Sequence, residues 1–205
     1  MSWLEPVTLS GIHACLEPLR REHESELAAA VSDGQLWQLW YTTVPKPEAV
    51  AKEVARRLEL QGAGLMLPFS VRDLASGALV GMTTYMNVDP VNRRVEIGST
   101  WYAKRVQRSA LNTECKLMLL RHAFETLGCI AVEFRTHFMN RQSRNAIERL
   151  GAKLDGVLRS HMLMPNGSLR DTAVYSIIGT EWPAVQANLE WELARPRAAA
   201  GFQEA

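Results

Sequence analysis

Three groups of residues carry types and spacings that could do chemistry. The first is a basic stretch, Lys104, Arg105 and Arg108, set between an alternating apolar run at 94–102 and a long apolar-periodic run from 111. Arg105, Gln107, Arg108, Ser109, Ala110, Leu111 and Asn112 thus fall where a strand gives way to a helix N-terminus. The first-turn N–H groups have no partner there, and the helix dipole is positive. Such an end takes phosphate readily, and a pyrophosphate-containing ligand suits the added charges. A solvated basic loop capping a helix is an equally open reading. The second group is Asn140 and Ser143, spaced i, i+3 between a strand and a short helix. The third is aromatic: Trp37, Trp40 and Tyr41 stand close together before Pro45 and Pro47.

The pattern of apolar residues supplies the elements that must position these groups. Short apolar stretches at 7–9 and 14–16 flank Gly11 as strands or a hairpin, and a helix over 20–31 stops at Asp33-Gly34. From Pro47 a second helix carries Val50, Val54 and Leu58, with Glu48/Lys52 and Glu53/Arg57 expected as exposed pairs. Strands over 66–73 and 79–87 form a hairpin. In the strand over 94–102, strict alternation puts Glu96, Thr100 and Tyr102 on one face, and Val95, Ile97, Ser99 and Trp101 on the other. A helix over 111–127 ends at Gly128. A strand over 130–138 and a short helix over 143–150 follow, with Ser143 as its N-cap. Strands over 157–164 and 172–178 are joined by Asn166-Gly167. A last helix from about 180 carries Val185, Leu189 and Leu193. There is no internal repeat and no linker, so residues 1–195 are expected to form one α+β domain, with 196–205 a frayed tail.

The chain of 205 residues has 47% apolar and 22% charged residues and a formal charge of +1. No basic segment stands out as a nucleic-acid footprint, so no nucleic-acid partner is expected. Cys15, Cys115 and Cys129 lack metal-ligand spacing, so no metal is expected. They read as buried free thiols of a reducing compartment. With no secretory signal and no apolar run near ~20 residues, the expectation is a cytoplasmic protein that does not enter a membrane. The marks of P-loop ATPases, α/β-hydrolases and HExxH zinc proteases are missing.

Arg105-Val106-Gln107-Arg108-Ser109-Ala110 resembles the pyrophosphate loop of GNAT-family N-acetyltransferases, written R/Q-x-x-G-x-G/A, with Arg108 where glycine is usual. Asn112-Thr113-Glu114 running into Lys116-Leu117 is similar to the start of that family's long helix. Asn140-x-x-Ser143 before Leu150-Gly151 is similar to its Asn-x-x-Ser element. Glu96-Ile97-Gly98 with Trp101 resembles its strand beside the cofactor, and the run from Arg170-Asp171 through Glu181-Trp182-Pro183 also fits. The nearest branch acetylates the N-terminal amines of ribosomal proteins. The resemblance covers the chain from about residue 66, and more loosely before it.

The resemblance implies a mixed, mostly antiparallel sheet of about seven strands flanked by helices, with acetyl-CoA (coenzyme A) as cofactor. Pantetheine would lie between the strands at 94–102 and 130–138, against Thr100, Trp101 and Tyr102. Its pyrophosphate would meet the loop from Arg105 through Ala110 and the helix start at Leu111, Asn112 and Thr113. Asn140 would bond the arm, and Ser143 would donate a proton to the departing thiolate. An attacking amine must shed its proton, so a base is needed. Glu96, directly or through water, is the candidate, and its alternative role is a purely structural hydrogen bond. His137 is the competitor, because its ordinary pKa of about 6.5 suits the task. Trp37, Trp40 and Tyr41 would border the acceptor pocket or else be plain core. The expected activity is acetyl transfer to a primary amine, either a peptide N-terminus or a small molecule, in a ternary complex. A thioesterase and a non-catalytic acyl-CoA sensor are the rivals, the latter favoured by Arg108. The resemblance also allows a homodimer.

Overall fold

The computed structural model describes residues 3–195. The expected frayed tail, 196–205, lies outside them. A single mixed sheet has the strand order β1-β2-β3-β4-β5-β6-β8-β7. Its strands are β1 (Leu9–Ser10), β2 (Ala14–Pro18), β3 (Met66–Asp73), β4 (Leu79–Asp89), β5 (Arg94–Tyr102), β6 (Ala131–His137), β7 (Lys153–Leu163) and β8 (Leu169–Ile178). The helices are α1 (Glu24–Ser32), α2 (Val50–Gly62), α3 (Leu111–Arg121), α4 (Arg141–Glu148) and α5 (Trp182–Ala194). The architecture is α+β as expected, with eight strands rather than seven. The two residues of β1 pair antiparallel with β2 around Gly11 and count as a strand of their own.

Every neighbouring pair is antiparallel except β5 and β6. That one parallel pair is brief, matching only Arg94 with Ala131, Val95 with Val132, and Glu96 with Glu133. Beyond Glu96 the two strands part. A sheet that divides leaves unpaired N–H and C=O groups along both lips, which must find other partners.

Helices α1 and α2 cover one face of the sheet, and α3 and α5 the other. Leu27, Ala30 and Val31 of α1, with Val50 and Val54 of α2, are buried on the first. Leu119 and Leu120 of α3, with Leu189 of α5, are buried in the same core. The Tyr85 hydroxyl donates to the Leu119 carbonyl, fixing α3 on β4. A further anchor sets the height of α3. The Glu114 carboxylate accepts the N–H groups of Ile12, His13 and Ala14 at 2.8, 2.7 and 2.8 Å. After Arg121 the helix widens into one π turn, His122–Thr126, and Gly128 at φ 64° follows it. Cys115 and Cys129 are buried free thiols, whereas Cys15 is half-buried. No helix among the described residues is long and apolar enough to cross a membrane.

Candidate active site

Ser99 changes the geometry of β5. Thr84 of β4 faces Gly98, but Met82 faces Trp101, so three residues of β5 span two of β4. The extra residue is a bulge, with Ser99 at φ 49°. Strict alternation put Thr100 and Tyr102 on the Glu96 face; the bulge reverses this. Glu96, Gly98 and Trp101 now share the face of Met86, Thr84 and Met82, towards α1 and α2. Thr100 and Tyr102 face α3, where the Thr100 hydroxyl meets that of Thr83 at 2.8 Å. A one-residue insertion moves every following side chain to the other face.

Arg57 of α2 holds the bulge. Sequence reading made it half of an exposed pair with Glu53, yet it is 2% exposed. Its Nε donates to Glu53 at 2.7 Å, Nη1 to the Thr84 hydroxyl at 2.7 Å, and Nη2 to the Ser99 carbonyl at 3.2 Å. Glu53 and Arg57 share one stripe of the helix with Val50 and Val54. That apolar stripe was the available signal that Arg57 turns inward.

Glu96 lies beneath the parting of β5 and β6, 5% exposed. Its Oε2 accepts from Asn87 Nδ2 at 2.6 Å and lies 3.5 Å from Arg135 Nε. Among the described residues Oε1 has no hydrogen bond, and it lies 2.8 Å from where a Cβ on Gly98 would be. Burial raises the carboxyl's pKa above the ordinary value; the Arg135 charge and the Asn87 bond oppose it. The structural reading of Glu96 therefore accounts for one of its two oxygens. On the same face, β6 presents Glu133, Arg135 and His137. The His137 ring lies edge-on to Trp40 at 5.0 Å and to Tyr41 at 6.4 Å. Trp37 departs from this pair and packs against the core.

Across the parting, on the α3 side, lie the phosphate-loop candidates. Arg105 is already engaged: its backbone N–H and its guanidinium both reach Asp33 at 3.2 Å. Gln107 Nε2 donates to the Tyr102 carbonyl at 2.9 Å, tying loop to strand. Ser109 Oγ donates to the Val106 carbonyl at 2.6 Å and accepts the Leu111 N–H at 3.3 Å. Arg108 is exposed at φ 60°, left-handed at the position where the resembled loop has glycine. Among the described residues, the N–H groups of Arg108, Ser109, Ala110, Asn112 and Thr113 have no acceptor. The buried Thr113 hydroxyl has none either. Successive free N–H groups at a helix start form an anion-binding concavity, and the residues present fit a pyrophosphate. Lys116, one turn further along, is buried; its Nζ donates to Thr100 at 2.9 Å and to Thr83 at 3.3 Å.

At the end of β6, the helix start differs from expectation by two residues. Asn140, not Ser143, is the N-cap of α4, accepting the Ser143 N–H on Oδ1 at 3.0 Å. An asparagine before a three-residue first turn is as good a cap as serine, and the earlier residue wins. Ser143 is thereby third in the helix, its hydroxyl without a partner among the described residues. Arg144 lies over the Phe138 ring at 4.5 Å and donates to the Tyr175 hydroxyl at 2.8 Å, securing α4 on β6 and β8.

Comparisons with known proteins bear on this arrangement. The family model described as the acetyltransferase (GNAT) domain matches residues 13–153. The chain is 35% identical over 109 residues to YdaF of Bacillus subtilis (strain 168), whose name provisionally calls it a ribosomal N-acetyltransferase. That match takes in 53% of this chain and 58% of the relative, so it spans little more than half of that protein's length. The fold is similar to a GCN5-related N-acetyltransferase from Brucella melitensis. That similarity has a TM-score of 0.83 and 31% identity, over 93% of this chain and 87% of the other. Mycobacterium smegmatis RimJ, solved in complex with CoA-disulfide, has a TM-score of 0.78. At 20% identity, over 91% of this chain and 95% of that one, it is similar in fold alone.

Proposed function

The chain belongs to the GNAT acetyltransferase family, and from that premise we propose that it transfers the acetyl group of acetyl-CoA to a primary amine by direct attack. The acceptor is read as a peptide N-terminus, as in the branch that acetylates ribosomal proteins, ahead of small-molecule amines. The observation that carries this reading is the parting of β5 and β6. It leaves the two strands unpaired beyond Glu96, between the Glu96 carboxyl and the start of α3, with α4 beginning just after β6.

Acetyl-CoA supplies an activated acyl carbon. The remaining work falls to the chain's own residues. The N–H groups of Arg108, Ser109, Ala110, Asn112 and Thr113 would hold the pyrophosphate, with the Arg108 side chain as an added charge. The lips of β5 near Thr100, Trp101 and Tyr102 offer backbone groups to the pantetheine arm, as an added strand would. An N–H at the bulge would polarise the acyl carbonyl. Glu96 Oε1 accepts the proton of the incoming ammonium, directly or through one water, while Asn87 and Arg135 hold Oε2. Ser143 would give its hydroxyl proton to the departing thiolate and take up the proton that the acylated nitrogen sheds, and Asn140 caps the start of α4 that carries it. Trp40 and Tyr41 wall the acceptor side.

The test is to mix the protein with acetyl-CoA and a panel of peptides, amino acids, polyamines and aminoglycosides. Thiol release and product mass are followed together. An acetylated peptide N-terminus is the expected product. Free acetate without an acceptor would replace this reading with a thioesterase, and cofactor binding without any product with a sensor.

A further inference from the structure

His137 ends β6 on the Glu96 side of the parting and is 4% exposed. Its Nδ1 lies 3.1 Å from the Met139 N–H, which can only donate. Nδ1 is therefore the unprotonated nitrogen, and the neutral ring carries its proton on Nε2. Turning the ring over would set a C–H against that N–H, so the assignment is fixed by the backbone. Nε2 itself is buried and has no partner among the described residues. A buried donor left without an acceptor is costly, and a native fold keeps one where something else completes it. Burial and the nearby Arg170 charge hold the ring's pKa below the ordinary value, so it is neutral at physiological pH. Trp40 and Tyr41 stand edge-on around the same ring.

Resting on the acetyltransferase reading above, we propose that His137 Nε2–H is a recognition donor that takes a carbonyl oxygen of the acceptor close to its reactive amine. This makes His137 a specificity residue rather than the base, because its one free lone pair is already used by Met139. It also selects a class of acceptor. A peptide N-terminus carries its first carbonyl on the carbon that bears the amine, two bonds from the nitrogen, and the flat peptide unit fits against the Trp40 and Tyr41 rings. A polyamine or simple alkylamine has no carbonyl and leaves Nε2–H unpaired.

The experiment compares wild type, His137→Gln and His137→Phe on a short peptide and on an alkylamine without a carbonyl. The ratio of kcat/KM for peptide over alkylamine is expected to fall about tenfold or more in His137→Phe. In His137→Gln, whose amide can still donate, most of that ratio should return. A ratio unchanged in His137→Phe overturns the proposal, and so does loss of a titrating limb near neutral pH from kcat, which would make His137 the base. The imidazole ¹⁵N shifts of wild type provide a readout independent of turnover. They should report a proton on Nε2, and should move at Nε2 when an unreactive N-acetylated peptide is added. A proton on Nδ1, or no movement at saturating peptide, sinks the proposal even in a protein that acetylates nothing. Absence of any acetylated product with the ¹⁵N response intact would instead fault the transferase reading.

Discussion

Arg57 Nη2 donates to the carbonyl of Ser99 across 3.2 Å, so a helix on one face of the sheet holds the β5 bulge just past the point where β5 and β6 part. Ser99 at φ 49° is in a conformation that side-chained residues avoid, and it persists because its surroundings hold it there. Arg57→Met removes three hydrogen bonds and leaves Glu53 with Arg56 alone. Urea unfolding is expected to show a loss of about 2–4 kcal/mol. Acetyl transfer should fall by about tenfold or more, since reacting groups tolerate little displacement. Arg57→Lys should recover less than half of the stability, because one ammonium cannot reach three acceptors in a plane. Wild-type turnover in a destabilised Arg57→Met would separate the bulge from catalysis.

Glu96 sets the expected pH profile. Its folded pKa is raised by burial, so the ionised, proton-accepting form disappears as pH falls through a value above the ordinary carboxylate range. The acid limb of kcat/KM should lie there, and Glu96→Gln should lower turnover by about 10²–10⁴. Stability moves the other way. Between the ordinary and the raised pKa the native state binds more protons than the unfolded chain, so stability falls as pH rises through that window. Glu96→Gln should flatten this slope and be at least as stable as wild type at pH 7. A turnover-dead variant that is also less stable at pH 7 would point to a structural carboxylate.

The glycine at 98 makes Glu96 possible. A Cβ there would come within 2.8 Å of both Glu96 Oε1 and Met86 Sδ. Gly98→Ala should therefore push the carboxylate aside, giving a kcat loss approaching that of Glu96→Gln. Because both clashing groups are ends of flexible side chains, the stability cost should be about 1–2 kcal/mol. Parallel denaturation and steady-state kinetics check the pair of effects.

Much of this was legible in the sequence, for reasons that particular residues show. Local patterning located the five α-helices and a strand at or beside each of the eight, β1 included although its bounds fell early, because burial of one face repeats at a fixed spacing. Glu114 was noticed as part of a motif, but its work, gathering three N–H groups of a turn 100 residues earlier, is a tertiary fact. Periodicity failed at Ser99, where one inserted residue in nine moved Thr100 and Tyr102 to the far face. No local signal marks such a bulge when the residue is serine rather than glycine. Arg57 was misread for the opposite reason: its charge outweighed its place in the apolar stripe.

Arg108 joins a backbone cost to a charge. At φ 60° a residue with a Cβ gives up about 1 kcal/mol relative to its favoured conformations. Arg108→Gly removes that cost but adds unfolded-state freedom, so the net gain should be only about 0.5 kcal/mol. KM for acetyl-CoA should rise severalfold, since a phosphate contact is lost while the N–H groups remain. A KM that is unchanged at low and high salt would show that the side chain points to solvent and the loop binds through its backbone alone.

Lys116 yields a less intuitive expectation. Its ammonium is buried against the Thr83 and Thr100 hydroxyls, with no carboxylate among the described residues bonded to it, and burial lowers its pKa from 10.5 to about 8. Below pH 8 the native state must keep this charge dry, a penalty of about 3 kcal/mol by linkage. As pH rises from 8 towards 10.5, the unfolded chain binds the proton that the native state has released. Stability contributed by this group therefore increases over that interval. Lys116→Met fills the same volume without a charge, and the two threonine hydroxyls still bond each other at 2.8 Å. Its melting temperature at pH 7 should exceed that of wild type, and the alkaline rise should vanish. A fold that keeps so costly a charge next to Thr100 is expected to use it, so the stabilised variant should also be the slower enzyme. A Lys116→Met protein that is both more stable and fully active would show that the buried ammonium only fills space.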